Sequence, residues 1–517
     1  KSGNTYVPLD AKLPQQRLAF MIENAQLDAI LSLTSLHSTL PATNRPVLLL
    51  DEIEPHLSQM PALTPTEMGE TAVILYTSGS SGQPKGVLLP QSAVLSFVHT
   101  AIQLYQLNPG DRLLQFASIS FDTALEEICI SHLSGSTLIL RTEESISSVQ
   151  AFFNFCRTHQ ITVLDLPTAF WHTLTIEMRR ASSLALPPTV RLVVIGGERA
   201  SPEHMATWHA VAPGHVTVLN TYGPTEATVA ATGCAVAGPT AVPQAELAPI
   251  GHPFPTARVY VVDQYNQLAP IGVPGELLIA GPQLAKGYVD LPEETAVKFI
   301  PDPFAKAGRV YRTGDRVRLW EDGNLQFVGR TDRQIKVRGH RIEPETIEEW
   351  LNRHEAVVEA AVATYPDSQN NLQIVAYIIP QGSILPDASA LASYLRQQLP
   401  AYMVPAAFVP IESFPKTSNG KINYRALPTP TFQTQNGAQY EAPRTPIEVT
   451  IADLFSQLTN VEKVGLFDNF FHLGGHSLLI TQLASRLQSI FEVELSLRTL
   501  FEHATVVDMA MLVEEKM

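Results

Sequence analysis

Leu75-Tyr76-Thr77-Ser78-Gly79-Ser80-Ser81-Gly82-Gln83-Pro84-Lys85-Gly86 follows an apolar, strand-like run and packs three glycines, four Ser/Thr hydroxyls and one lysine into a single short loop. Glycines let a backbone approach an anion, hydroxyls and amides donate to phosphate oxygens, and lysine supplies charge. The loop does not fit the Walker pattern, because Lys85 is followed by Gly and the glycine spacing differs. The residues alone leave two readings, a phosphate-gripping loop or a plain Ser/Gly turn.

Outward from this loop, short apolar runs at 72–76, 112–116, 137–140, 161–164, 190–195 and 216–219 alternate with helix-length segments. That alternation predicts α/β layers with mostly parallel sheets, in which ligands gather at the carboxyl ends of strands. The charged stretch 329–341 precedes a predicted helix over 344–353 and strand over 359–365, so a second, smaller α/β unit begins there and runs to about residue 427. A Pro-, Thr-, Gln- and Asn-rich linker follows, and then a helical unit with predicted helices over 446–459 and 477–491.

The chain of 517 residues is too long for one core. Its 45% hydrophobic and 16% charged content is that of a globular protein, and a net charge of −15 argues against nucleic acid as a partner. Cys129, Cys156 and Cys234 lack disulfide or zinc spacing, which favours a reducing, cytoplasmic setting. No apolar run reaches the roughly eighteen residues a membrane span requires, and no membrane partner is expected.

Further motifs stand in order. Asn220-Thr221-Tyr222-Gly223-Pro224-Thr225-Glu226 is followed by Gly275-Glu276-Leu277, Lys286-Gly287-Tyr288 and Tyr311-Arg312-Thr313-Gly314-Asp315. Gly329-Arg330-Thr331-Asp332, Leu399-Pro400-Ala401-Tyr402-Met403-Val404-Pro405 and Asn419-Gly420-Lys421 complete the series, and Asp468-Asn469-Phe470-Phe471-His472-Leu473-Gly474-Gly475-His476-Ser477 lies beyond them. Together with the opening loop they resemble the adenylate-forming superfamily. In particular they resemble a nonribosomal peptide synthetase adenylation domain followed by a peptidyl carrier (thiolation) domain.

The resemblance implies a multidomain chain: a large adenylation core over residues 1–330 made of layered sheets and helices, and a small α/β C-terminal lid over 331–428. A linker over 429–443 and an all-α, four-helix carrier bundle over 444–517 follow. It also implies that roughly a hundred residues of the core's first layer precede Lys1. The implied reaction joins an amino acid carboxylate to the α-phosphate of ATP as pyrophosphate leaves, and then passes the aminoacyl group to a phosphopantetheine thiol as AMP leaves.

Each role follows from motif position. Thr77, Ser78, Gly79, Ser80, Ser81, Gly82 and Lys85 would hold phosphate, Asn220 and Tyr222 the adenine, Asp315 the ribose hydroxyls, and Arg330 would reach the nucleotide. Glu226 would support Mg²⁺, Asp332 would be the hinge, and Lys421 would bridge the substrate carboxylate and the α-phosphate. Cations aimed at developing charge are what such a reaction needs. Ser477, at a helix N-terminus that favours phosphate, would carry 4′-phosphopantetheine installed by a phosphopantetheinyl transferase. Condensation domains of the synthetase would be neighbours.

The same resemblance places Asp122, Thr123, Glu126, Asp165, Val193, Ile195, Thr221, Val229, Ala230 and Lys421 around the amino acid. Asp122 would hold the α-ammonium. Glu126 and Asp165 in a mostly apolar pocket would each cost on the order of several kcal/mol if left unpaired, which a cationic side chain relieves. Lysine is expected first, then ornithine or arginine, with Ile195 narrowing the pocket where a glycine is expected. The rival readings are a stand-alone acyl-CoA ligase, against which Asp122 and Ser477 speak, and an inactive carrier or scaffold segment.

Overall fold

In the computed structural model the chain is described at residues 3–57, 70–79, 82–181, 184–239, 241, 248–337, 339–366, 372–382, 388–417, 421–430, 441–459, 461, 463–470, 473, 475, 477–491, 493, 495, 499–500 and 503–516. Ser80, Ser81, Asn419, Gly420, His472, Gly474, His476 and linker residues 431–440 lie outside these. Two compact units emerge: residues 1–140, 159–346 and 396–402 form one, and residues 141–158, 347–395 and 403–517 the other.

Leucine- and valine-rich runs build the central sheet of the first unit, because strands covered on both faces must be apolar nearly throughout. Its seven strands run in the order His252–Pro253, Thr232–Ala237, Thr217–Tyr222, Leu192–Gly196, Val163–Pro167, Arg112–Gln115 and Thr137–Leu140. Pairings from Thr217–Tyr222 to Thr137–Leu140 are parallel, and the two at the other end antiparallel. Five of the six expected strand runs lie in this sheet. The sixth, Thr71–Thr77, pairs antiparallel with Lys85–Pro90 instead, so the Ser/Gly loop is the tip of a hairpin. A five-stranded sheet comprising Arg258–Val262, Gly275–Ala280, Phe299–Pro301, Arg309–Leu319 and Leu325–Arg330 is antiparallel throughout, which the expectation of mostly parallel sheets misses.

Helix Gln91–Leu104 buries Val94, Phe97, Val98 and Ala101 at helical spacing, and with Tyr105 they join Val163, Leu192 and Val194 of the central sheet in one core. Helix Asp122–Ser134 stops at Gly135, whose φ of 74° is the left-handed cap that glycine supplies best.

In the second unit, strands Val357–Pro366, Leu372–Pro380 and Ala407–Pro410 form a sheet around Ala361, Val375, Tyr377 and Phe414. Its helical part holds Pro446–Thr459, Ser477–Phe491 and Val506–Lys516, packed through Ile451, Phe455, Leu483, Leu487, Met509 and Val513. The first of these helices starts on a capping box: Glu448 N donates to Thr445 Oγ1 at 3.1 Å and Thr445 N to Glu448 Oε2 at 2.9 Å. Of an expected fourth helix, only Thr499 and Leu500 fall among the described helical residues. No described helix is long and apolar enough to cross a membrane.

Candidate active site

Asp122 is the first residue of helix Asp122–Ser134 and Glu126 stands one turn later, so both lie on one helix face. Asp165 sits in strand Val163–Pro167, on the sheet face that carries Val163 and Val194. Asp122 Oδ2 accepts from Thr225 Oγ1 at 2.6 Å. Glu126 Oε1 accepts from the Tyr105 hydroxyl at 2.6 Å, and Asp165 Oδ2 is buried without a partner. Burial raises all three carboxyls above their ordinary range. For Glu126, burial outweighs the Tyr105 bond that opposes it, and the charges of Glu127 and Asp122 add to the rise, to about 8. For Asp165, burial is reinforced by the charges of Glu126, Glu127 and Asp122.

Strand register corrects two expected pocket residues. Asp165 pairs with Val194, and Val194 with Leu219, while Leu164 pairs with Val193 and Leu166 with Ile195. Partners in register share a face and neighbours along a strand alternate, so Val193 and Ile195 face away from Asp165. Val194 and Gly196 take their places beside Asp165 and Thr221. The glycine expected at Ile195 is Gly196: a Cβ there would lie 2.9 Å from Thr221 Oγ1. Ile195, on the other face, therefore does not narrow the pocket.

Thr123 and Val229 are half-buried and Ala230 is buried. Thr228 and Val229 hold positive φ, 54° and 67°, which is unusual for β-branched residues. Gly223 packs so closely against this turn that a Cβ would stand 2.5 Å from the Ala230 Cα.

At the nucleotide motifs every carboxylate has a partner. Glu226, buried, accepts from Tyr288 Oη at Oε1 and from Arg341 at Oε2, both at 2.8 Å. Burial works against its charge, but Arg341 and Tyr288 hold its carboxyl below the usual range. Asp315 accepts from Tyr222 Oη and Arg330, its cross-strand partner. Arg330 also forks onto Asp332 at 2.6 and 2.8 Å, and against burial this keeps Asp332 low. Lys336 lies 5.7 Å from the centre of the Tyr222 ring.

Thr77 ends its strand opposite Lys85, which pairs with Glu294. Ser78 Oγ donates to Arg341 O at 2.7 Å, and Thr346 Oγ1 to Gly79 O at 2.6 Å. Gly79 is obligatory, since a Cβ would meet Gln83 O at 2.2 Å, and Gly82 takes a φ of 76°. The Asn220 amide donates to Pro249 O at 2.7 Å, on the face opposite Thr221.

Each oxygen of Glu226 already accepts one hydrogen bond, from Tyr288 and from Arg341, so Glu226 would have to share or exchange the Arg341 bond to support Mg²⁺. Among the described residues no group of three or more His, Cys, Asp or Glu side chains is placed to hold a metal.

In the second unit, Lys421 is exposed and its carbonyl accepts from Thr417 N at 2.7 Å. Ser477 is the first residue of its helix. Gly475, just before it, is folded onto Phe470: its N–H donates to Phe470 O at 2.8 Å, and a Cβ would fall 2.3 Å from Phe470 Cδ1.

Comparison with known proteins places these features in a family. The AMP-binding enzyme family matches residues 1–289, the AMP-binding enzyme C-terminal domain residues 346–421, and the phosphopantetheine attachment site residues 449–513. A linear gramicidin synthase of Brevibacillus parabrevis is 42% identical over 521 residues, covering 99% of this chain and 6% of that protein. Gramicidin S synthase 2 of Brevibacillus brevis is 36% identical over 510 residues, covering 98% of this chain and 11% of that protein. The chain thus spans only 6% and 11% of the length of these two relatives. A solved nonribosomal peptide synthetase protein containing adenylation and PCP domains, bound to a vinylsulfonamide inhibitor, aligns with a TM-score of 0.79 at 25% identity over 100% of this chain and 84% of that one. The chain belongs to the AMP-binding enzyme family, as an adenylate-forming ligase of the nonribosomal peptide synthetase type with an adenylation domain and a carrier domain.

Proposed function

We propose that the chain activates a basic amino acid with ATP and loads it onto phosphopantetheine carried by Ser477, as one step of nonribosomal peptide synthesis. The observation that carries the choice of substrate is that Asp122, Glu126 and Asp165 form no ion pair with a lysine or arginine among the described residues. Two of these carboxyls exceed what an α-ammonium needs, so a second cation on the substrate is shared between Glu126 and Asp165, whose raised pKa values let the pair keep one proton. Lysine is the first choice, then ornithine or arginine.

In this reading Asp122 holds the α-ammonium, and Thr221, Val194, Gly196, Val229, Ala230 and Thr123 shape the walls. The 77–85 loop with Lys85 holds phosphate, Tyr222 and Asn220 sit at adenine, and Asp315 and Arg330 at the ribose. Lys421 neutralises charge as the carboxylate attacks the α-phosphate and pyrophosphate leaves. For these groups to reach ATP, Arg330 and Lys85 must exchange Asp315 and Glu294 for the nucleotide. Asp332 is the hinge. No step is assigned to Mg²⁺. Phosphopantetheine, when attached, supplies the thiol; the chain's part is to present Ser477 at a helix N-terminus, where phosphate is favoured.

The boundaries proposed with this reading are 1–330 for the core, 331–428 for the lid, 429–443 for the linker and 444–517 for the carrier. A phosphopantetheinyl transferase and neighbouring synthetase domains are the proposed partners. Three unpaired cysteines support a cytoplasmic setting. Intact-mass spectrometry after incubation with transferase, coenzyme A, ATP and lysine tests the reading. A phosphopantetheine adduct that then gains an aminoacyl group, both lost in Ser477→Ala, is expected. An adduct that never gains lysine, ornithine or arginine would refute it.

A further inference from the structure

We infer that Tyr105 is a positioning residue for substrate selection: its hydroxyl fixes one oxygen of Glu126, so that the other Glu126 oxygen and the open oxygen of Asp165 form a two-point receptor for a terminal ammonium or guanidinium. The inference rests on the proposed basic substrate and deepens it.

Tyr105 follows helix Gln91–Leu104 and is held at both ends. Its carbonyl accepts from both terminal nitrogens of Arg191 at 3.1 Å, and Arg191 is fixed by Asp111 at 2.8 and 2.9 Å. Its ring is only 1% exposed, within the core that includes Leu113, Ile130, Val163, Leu192 and Val194. The phenol therefore has one direction in which to donate, and Glu126 Oε1 lies there at 2.6 Å. A phenol has a single proton to give, which leaves Oε2 of Glu126 for another donor. Asp165 Oδ2, buried and without a partner, is the second vacant acceptor. Two anionic acceptors suit a group with two or more N–H bonds and a positive charge.

Tyr105 also governs when Glu126 is ionised. Glu126 is faced by Tyr105 from the preceding helix, by Asp122 and Glu127 on its own helix, and by Asp165 from the sheet; every neighbour but Tyr105 adds negative charge. Lys336 favours the charged form of Asp122. Among the described neighbours of Glu126, Tyr105 is thus the contact that favours the charged carboxylate a basic substrate requires.

The test is ATP–pyrophosphate exchange by the 517-residue chain and its Tyr105→Phe variant, with lysine, ornithine and arginine. Loss of the hydroxyl should raise KM for the preferred basic amino acid on the order of tenfold, with KM for ATP and kcat within about twofold. The pH midpoint of kcat/KM should move upward. In a Glu126→Gln background Tyr105→Phe should add no further loss. A fluorinated tyrosine at 105, a stronger donor with the same shape, should move the midpoint downward and covers the case where Tyr105→Phe fails to fold. An unchanged pH midpoint in these variants, or equal losses for ATP and amino acid, would overturn the inference. A wild-type chain without preference for a basic amino acid would sink the functional reading and this one together. A preference that Tyr105→Phe leaves undiminished would sink this one alone.

Discussion

The first unit holds two sets of carboxylates and treats them in opposite ways. Glu226, Asp315 and Asp332 each have an arginine: Arg341 for the first and Arg330 for the other two. Asp122, Glu126 and Asp165 have no arginine: Asp122 has Thr225 and the Thr123 backbone, Glu126 has Tyr105, and Asp165 Oδ2 has nothing. Burial penalises the charged form in both places, so the difference lies in the partners: Glu226 and Asp332 end below their ordinary range, and Asp122, Glu126 and Asp165 above it. A paired set is complete within the protein. In the proposed reading, the unpaired set receives its cation from the substrate.

The largest way to break the contrast is to make the paired set resemble the unpaired one. Arg330→Ala strands Asp315 and the more exposed Asp332, and it should cost about 3–5 kcal/mol, mostly through Asp315 because solvent screens Asp332. Chemical denaturation measures it. A loss under about 1 kcal/mol would mean that the pairing contributes little.

A smaller effect is expected from pH. A carboxyl whose folded pKa is raised keeps its proton longer when folded, so stability falls as pH rises from its ordinary pKa toward the folded value, about 8 for Glu126. The depressed Glu226 does the reverse, contributing stability above its ordinary pKa that is lost as pH falls through the folded one. Glu126→Gln should therefore remove on the order of a few kcal/mol of the stability lost between about pH 5 and 8. Thermal melts across that window check the slope, and an unaltered slope would show that Glu126 is not the group responsible.

The smallest effect concerns which strand face is which. Gly196→Ala places a methyl 2.9 Å from Thr221 Oγ1 and should lower kcat/KM for long basic side chains by several-fold. Ile195→Val, on the other face, should leave selectivity alone and cost about 1 kcal/mol of stability. Reversal of these two results in pyrophosphate exchange would return Ile195 to the pocket.

The faces show where sequence reading succeeds and where it stops. Asp122 and Glu126 were legible because four residues on a helix return to one face, and the strand runs because apolar stretches of that length must be buried. Val193 and Ile195 were off by one because a strand's period is two; Gly196-Gly197 at the strand end carried the register. The antiparallel hairpin around Gly79 was hidden because an isolated apolar run does not declare its partner. Tyr105 left no local signal: it reaches Glu126 across 21 residues, through the packing of one helix end against another helix. The partners Arg341 and Tyr288 of Glu226 come from still more distant segments, which only the fold assembles.

Pyrophosphate exchange across the common amino acids, in the wild-type chain and in the double variant Glu126→Gln, Asp165→Asn, tests the central claim most directly. A peak with lysine, ornithine or arginine that disappears in the double variant is the predicted result. A wild-type peak with leucine or phenylalanine, or a basic preference that survives loss of both charges, would contradict it.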